Sequence, residues 1–358
     1  MVKMVYINGR FLSQNISGVQ RYAIQFLNTM DFMLESGELS KKQFKFIVLA
    51  PNNFNEVVRF KNIAIIKSSF SGHIWEQFVL PIVSGPHLLL NFCNLAPILK
   101  CNKIVVVHDA SVYSVPKGYS FFFRLYYKTM LPIVGLTAKR IITASEFSKK
   151  ELMRFCKYSE SKVKVILSGA NNFSRKEMNR SILIRHNLSQ ERYIFSLGSM
   201  NPNKNFSTLL EAIKLLNLNG IKFVIAGGLN SKIFKSDDIK SIPESVIFTG
   251  YVSDEELQSL YTNALCFVFP SIYEGFGFPP LEAMSFGCPV ITSNAASLPE
   301  VCLDAALYCD PYSFDDIANK IQLMIENPQL RLSYIEKGHA RVKSLDWKHT
   351  VAEMISVF

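Results

Sequence analysis

The sequence predicts an α/β chain built from two doubly wound, mostly parallel sheets in tandem. Three observations carry this. The 358 residues are too many for one ordinary compact domain and suit two of about 150–200 residues each. Short, near-continuously apolar runs rich in β-branched residues alternate with longer amphipathic stretches, as do strands covered on both faces and joined by crossover helices. The alternation breaks at the polar, turn-forming Ser168-Gly169-Ala170-Asn171-Asn172 and then restarts.

In the first half the strand candidates are Met4–Ile7, Phe44–Leu49, Ile63–Ile66, Leu88–Asn91, Ile104–His108, Arg140–Thr143 and Val163–Ile166. Helical spacing falls between them at Gly18–Glu35, Tyr119–Leu131 and Ser145–Tyr158. The second half reads as strands at Tyr193–Leu197, Lys222–Ala226, Val246–Phe248, Cys266–Phe269, Pro289–Thr292 and Ala306–Tyr308. Its helices fit Ser207–Leu216, Asp254–Thr262, Pro279–Phe286, Ser313–Ile325 and Pro328–Val342. There is no residue-level repeat and no low-complexity tract. Strand–helix alternation of this kind implies βαβ units, with ligands expected in the cleft that the strand carboxyl ends face.

Composition removes several classes. With 49% hydrophobic and 19% charged residues, 28 Phe and 14 Tyr, the chain is neither disordered, collagen-like nor coiled-coil. Residues 1–170 hold 22 Lys+Arg against 9 Asp+Glu, a charge of +13, whereas residues 171–358 carry −3. A basic half suggests an anionic partner: nucleic acid, a membrane surface or a phosphorylated substrate. Nucleic acid is disfavoured, because the cations are dispersed and no recognised binding motif accompanies them. The seven cysteines are odd in number and form no C-x-x-C pair, so free thiols in a reducing cytosol are expected rather than a disulfide framework or zinc site. The N-terminus lacks a signal peptide's apolar core. The most apolar long stretch, Phe78 to Leu99, is broken by Pro81, Pro86, His87, Asn91, Asn94 and Pro97, so no uninterrupted membrane-spanning helix is expected. A cytoplasmic protein, free or peripheral on a membrane, is the expectation.

Three motifs carry chemistry. The first is Glu274-Gly275-Phe276-Gly277-Phe278-Pro279-Pro280-Leu281-Glu282. A strand ends, Gly275 and Gly277 let backbone N–H groups approach a ligand, and a proline pair opens a helix whose N-terminus favours an anion. Glu274 and Glu282, with seven residues between them, flank this diphosphate cradle and suit sugar hydroxyls; Glu282 is expected in the first helical turn. Ordinary loop glycines and a helix-start carboxylate explain the same residues. The second is Gly198-Ser199-Met200-Asn201-Pro202-Asn203-Lys204-Asn205. Lys204 at a helix start opposes the dipole, which a bound anion would explain; an exposed, solvated lysine is the alternative. The third is Val107-His108-Asp109 after a β-branched run, read either as a site histidine at a strand's carboxyl end or as a buried one pinned by Asp109. Ser17-Gly18 is a weaker phosphate-loop candidate that a plain N-cap also explains. No Walker-type loop and no complete dinucleotide fingerprint occurs, so a P-loop NTPase and a nicotinamide dehydrogenase are unsupported.

Together the motifs resemble those of retaining glycosyltransferase family four, of the GT-B fold, as found in bacterial polysaccharide and O-antigen assembly. The resemblance spans almost the whole chain. It rests on Ser17-Gly18-Val19-Gln20-Arg21-Tyr22, Val107-His108-Asp109, Ala144-Ser145-Glu146-Phe147-Ser148, Lys204-Asn205, the Glu274/Glu282 motif, Gly287-Cys288-Pro289-Val290-Ile291, Leu298-Pro299-Glu300-Val301 and Asp346-Trp347. It implies two Rossmann-like domains facing each other across a cleft. Residues 1–170 would bind the acceptor, 171–342 the nucleotide sugar, and 343–358 would form a helix returning to the first domain. It also implies roles. Glu274, His108 and Lys204 would be catalytic, with Lys204 neutralising the diphosphate. Gly18, Ser199, Gly275, Phe276, Gly277, Phe278 and Glu282 would bind substrate, Glu282 at the ribose. The donor would be a nucleotide-diphosphate sugar, GDP-mannose first among several. The acceptor would be a saccharide, lipid-linked at an anionic membrane surface. Neither cofactor nor divalent metal is implied, and the chain has no D-x-D site. Many relatives carry arginine where Ser199 and Asn203 stand, so diphosphate neutralisation would lean on Lys204. A GT-B epimerase or hydrolase and a non-catalytic sugar-binding protein are the competing classes.

Overall fold

The computed structural model describes residues 2–54, 58–171, 178–190, 192–198, 201–216, 220–227 and 242–358. The chain divides into two compact units: Met1–Gly169 together with Asp346–Phe358, and Ala170–Leu345.

The first unit is a parallel seven-stranded sheet in the order β3-β2-β1-β4-β5-β6-β7. Its strands are β1 Lys3–Asn8, β2 Phe44–Ala50, β3 Ala64–Lys67, β4 Leu88–Asn91, β5 Lys103–Val106, β6 Arg140–Thr143 and β7 Val163–Val165. Central strands are buried along their length, β4 and β5 at every residue, which is why they read as unbroken apolar runs. Strand β5 ends at Val106, so His108 lies in the loop beyond it. Among helices of eight or more residues, α1 is Gly18–Ser36, α2 Phe121–Thr137 and α3 Glu146–Cys156. In α1, Tyr22, Phe26, Met30, Met33 and Leu34 recur at helical spacing and are buried, and Gly37 ends it at φ 83°, a left-handed cap that glycine adopts at no steric cost. The opposite face of the sheet is covered by α2 and α3, where Val105, Val107, Ile141, Leu131, Val134 and Leu152 form one core. A helical stretch at Gly72–Ile74, Trp75–Val79 and Leu80–Ser84 was absent from the sequence expectation, because Gly72, Pro81 and Pro86 interrupt its apolar pattern.

The second unit is a parallel six-stranded sheet in the order β10-β9-β8-β11-β12-β13. Its strands are β8 Arg192–Leu197, β9 Ile221–Ala226, β10 Val246–Gly250, β11 Phe267–Phe269, β12 Val290–Ser293 and β13 Ala306–Cys309. Among its described helices of eight or more residues are α4 Phe206–Leu215, α5 Asp254–Asn263, α6 Phe278–Ser285, α7 Phe314–Glu326 and α8 Pro328–Ser344. Helices α4 and α7 pack together over one face, burying Leu209, Ile213, Ile317, Ile321 and Met324 against Ile194, Phe223 and Val268. The last helix, α9 Trp347–Ile355, belongs to the first unit and packs on α1. All seven cysteines are free: five are buried, Cys93 is half-buried and Cys101 exposed. Among the described residues, no helix is long and apolar enough to cross a membrane.

Candidate active site

The order of the second sheet places β8 innermost, with β9 and β10 on one side and β11 to β13 on the other. Strand order therefore reverses between β8 and β11, the point where loops diverge and leave a crevice at the strand carboxyl ends. The loop after β8 carries Lys204 and the loop after β11 carries Glu274, and the two meet: Lys204 Nζ lies 2.7 Å from Glu274 Oε1. Their side chains are 18% and 14% exposed, so the solvated-lysine reading of Lys204 does not hold. The ammonium also sits over the Phe269 ring, 4.9 Å from its centroid, a favourable cation–π placement.

Backbone and amide bonds fasten these loops to each other. Ile272 N–H donates to Asn203 O at 2.8 Å, and Asn203 Nδ2 to Tyr273 O at 3.1 Å. Asn205 adopts a left-handed conformation (φ 60°), tolerated by Asn, and its Nδ2 donates to Pro270 O at 3.1 Å and Pro311 O at 2.6 Å. Ser271 Oγ lies 2.6 Å from Glu274 Oε1. The carboxylate is thus held by a serine as well as by the lysine, a contact the sequence did not single out although Ser271 stands three residues before Glu274. Ser297 Oγ bonds the Glu274 and Phe276 carbonyls, both at 2.9 Å. A site locked in this way needs little reorganisation when charge develops in it.

Beyond Glu274 the chain enters α6 through Gly277, whose φ is 103°. The positive φ calls for glycine, and a Cβ there would stand 2.6 Å from Leu298 Cδ2 and have to displace that methyl. Gly277 caps the helix, Phe278 is its first residue, and Pro279 and Pro280 follow without cost in the first turn. The first turn carries no acidic residue. Glu282, expected there, is the fifth helical residue, because the helix begins one residue earlier than the proline pair suggested. Glu282 is half-buried and its Oε2 lies 3.5 Å from Tyr261 Oη. Gly275 and Phe278 are half-buried and Phe276 is buried. Ser199 lies outside the described residues.

The other candidates are in the first unit. His108 is half-buried in the loop after β5. Its Nε2 lies 2.8 Å from Phe92 O; a carbonyl only accepts, so Nε2 carries the proton and Nδ1 is left as an acceptor. The ring stands edge-on to Tyr22 at 5.1 Å, and burial lowers its pKa below the usual histidine value. Asp109 Oδ1 accepts the Ser111 N–H at 2.8 Å, and its charge acts on the His108 ring against the larger effect of burial. Gly18 opens α1 behind Ser17, whose N–H donates to Gln20 Oε1 at 3.1 Å. A Cβ at Gly18 would meet no atom within 4 Å, so nothing in the fold demands glycine there. Among the described residues, no group of three or more His, Cys, Asp or Glu side chains is placed to hold a metal ion.

The family pattern described as "Glycosyl transferases group 1" matches residues 179–341, the stretch that bears Lys204, Glu274 and Glu282. The chain is 31% identical over 264 residues to O-antigen chain mannosyltransferase B of Escherichia coli, covering 71% of this chain and 69% of that one. It is 28% identical over 322 residues to O-antigen chain mannosyltransferase RfbU of Salmonella typhimurium, covering 85% and 86%. Its fold matches that of a sucrose-phosphate synthase from Thermosynechococcus elongatus with a TM-score of 0.73 at 18% identity, over 100% of this chain and 98% of that one. Two parallel-sheet Rossmann-like units, a pattern spanning the site and a relative of this similarity place the chain in glycosyl transferases group 1, with the GT-B fold.

Proposed function

We propose that this glycosyltransferase moves mannose from GDP-mannose, with retention of configuration and without a divalent metal, onto a lipid-linked saccharide during cell-surface polysaccharide assembly. The Lys204–Glu274 pair at the strand-order reversal of the second sheet carries the reading. The names of the two mannosyltransferase relatives favour the sugar. Without donor, the lysine charge is balanced by Glu274. When a nucleotide diphosphate enters, the ammonium turns to the phosphates, and the carboxylate, still held by Ser271, is released toward sugar hydroxyls. As the C1–O bond to the diphosphate breaks, the acceptor hydroxyl oxygen forms the new bond to C1 and its proton passes to the departing diphosphate oxygen, on which negative charge concentrates in the transition state. Lys204, the backbone N–H groups of residues 275–278 and the start of α6 stabilise that charge more in the transition state than in the ground state. Glu282 holds the ribose.

A nucleotide panel tests this. At a concentration 100-fold above Kd, GDP adds about 2.7 kcal/mol of stability, roughly 5–11 °C in unfolding midpoint for a unit of this size; UDP and dTDP should add less. Mannose transfer should continue at full rate in EDTA. A larger shift with UDP or dTDP overturns the donor assignment, and loss of turnover in EDTA restored by Mn²⁺ overturns metal independence.

Membrane placement of the acceptor rests on the first half's +13 charge and on α2. There Phe121, Phe122 and Leu125 stand 67%, 80% and 55% exposed beside half-buried Arg124 and Lys128, a composition suited to a headgroup boundary. Lys128 also leans over the Tyr113 ring at 5.2 Å. Each cation near an anionic surface adds about 1 kcal/mol. The protein should therefore sediment with anionic liposomes, less so in high salt, and the Arg124→Glu/Lys128→Glu double variant should stay in the supernatant. Equal pelleting with neutral and anionic vesicles would argue against electrostatic docking.

A further inference from the structure

The two oxygens of Glu274 are not equivalent. Lys204 Nζ at 2.7 Å and Ser271 Oγ at 2.6 Å both reach Oε1. Among the described residues no bond reaches Oε2. Oε1 is therefore the fastened oxygen and Oε2 the one left to meet a ligand. Ser271 is fully buried and is itself held in place. Its carbonyl accepts the Ser293 hydroxyl, and the next residue, Ile272, donates its N–H to Asn203 O at 2.8 Å. Three oxygens stand around the Ser271 hydroxyl: Glu274 Oε1, Asn203 O at 2.8 Å and Tyr273 O at 3.3 Å.

Two carbonyls and a carboxylate only accept, and a hydroxyl has one proton to give. The three oxygens compete for it, so its direction follows the charge that each presents. While the Lys204 ammonium covers Oε1, that oxygen's charge is already met, and Asn203 O is an equally close acceptor. Once the ammonium turns to a diphosphate, Oε1 becomes a bare carboxylate oxygen in a largely closed site. A hydrogen bond to a charged group then outweighs one to a carbonyl. No heavy atom has to move for this, because Oγ already stands within bonding distance of both oxygens.

We infer that Ser271 is a positioning residue whose hydroxyl turns its proton onto Glu274 Oε1 as Lys204 leaves for the diphosphate, so that the carboxylate keeps its place with Oε2 available to the donor. No proton is transferred; the O–H bond only rotates. This rests on the nucleotide-diphosphate reading above and adds to it what holds the anion of the pair once its cation is engaged. The hydroxyl then counts for little in the empty site, where Lys204 holds Oε1, and for much in the nucleotide-bound one. Isothermal titration calorimetry of the full chain with GDP, UDP and dTDP tests it, with the tightest binder of the three as probe. Its Kd should weaken about tenfold, a loss of about 1.4 kcal/mol, in Ser271→Ala. It should return to within about threefold of the parent in Ser271→Thr, which keeps the hydroxyl. Placed on Glu274→Gln, Ser271→Ala should change Kd by less than about twofold, because without the carboxylate charge the contact has the same worth with and without nucleotide. Equal weakening on both backgrounds, as a merely structural serine would give, overturns the proposal, and so does a folded Ser271→Ala that binds like the parent. If Ser271→Thr fails to fold, the comparison of the two backgrounds still decides. Tighter binding of UDP or dTDP than of GDP overturns the donor assignment alone; a parent that binds none of the three overturns both.

Discussion

Glu274→Gln and Lys204→Ala should each lower the transfer rate by about 100–1000-fold, the cost of about 2.7–4 kcal/mol for losing one preorganised charge stabiliser. The two substitutions act differently on the resting site. Gln keeps the size of Glu274 and its contact with Ser271, but leaves an ammonium over the Phe269 ring with its anion gone. Ala at 204 leaves the carboxylate held by Ser271 alone and removes the cation that would meet the diphosphate. Breaking a largely buried pair by deleting one partner costs stability as well, so the Lys204→Ala/Glu274→Gln double variant is the informative control. It removes both charges, and its unfolding midpoint should exceed that of the less stable single variant. Its rate should remain as low as either single one, because groups acting as a unit are not additive. Initial rates with GDP-mannose, beside circular dichroism of each variant, settle the matter. A folded single variant turning over within about threefold of the parent, less than about 1 kcal/mol, removes that residue from the mechanism.

The strands were readable because parallel sheets bury both faces, which leaves short apolar runs bounded by turn residues. Each of the thirteen anticipated runs, from Met4–Ile7 to Ala306–Tyr308, overlaps a strand of the structure. The stretch Gly72–Ser84 was not readable, since Gly72 and Pro81 signal breaks and a π-helical turn has no sequence period of its own. Ends also shifted: β5 stops at Val106, and α6 starts at Phe278 because Gly277 turns the chain in with a positive φ.

The site was legible as separate pieces. Glycines before a proline pair, and a lysine just before a helix, each carry a local physical reason. What the sequence withheld was their meeting. Lys204 and Glu274 are 70 residues apart, and their contact follows from β8 lying beside β11, a matter of strand order that simple alternation leaves open. The same holds for Asn8 and Asn91, which become neighbours only because β1 pairs with β4. Local pattern gives elements and loops; sheet order decides which loops share a crevice.

Trp347→Ala should strongly destabilise the first unit. Trp347 is 3% exposed and opens α9, capped by Asp346, whose Oδ1 accepts the Lys348 N–H at 2.8 Å. Its ring meets Tyr22 edge-on at 5.3 Å, and Tyr22 in turn meets His108 at 5.1 Å. On its other side it fits against Gly169, where a Cβ would come within 2.4 Å of Trp347 Cγ. Thr350 Oγ1 adds a bond to Leu167 O at 2.8 Å. The indole therefore joins the last helix, the first helix and the end of β7's following loop in one packed contact. Deleting a buried Trp costs about 3–5 kcal/mol, because the lost transfer energy is joined by the cavity left behind. At about 2–4 °C per kcal/mol for a unit of this length, the unfolding midpoint should fall by roughly 6–20 °C. Gly169→Ala should move it in the same direction by forcing the indole away from its seat, whereas Lys348→Ala, which removes an exposed pair with Glu38 and an exposed contact over the Phe32 ring, should change it by about 1 kcal/mol or less. Differential scanning of the three variants separates these cases. A Trp347→Ala midpoint no lower than that of Lys348→Ala would show that α9 rests on the first unit without stabilising it.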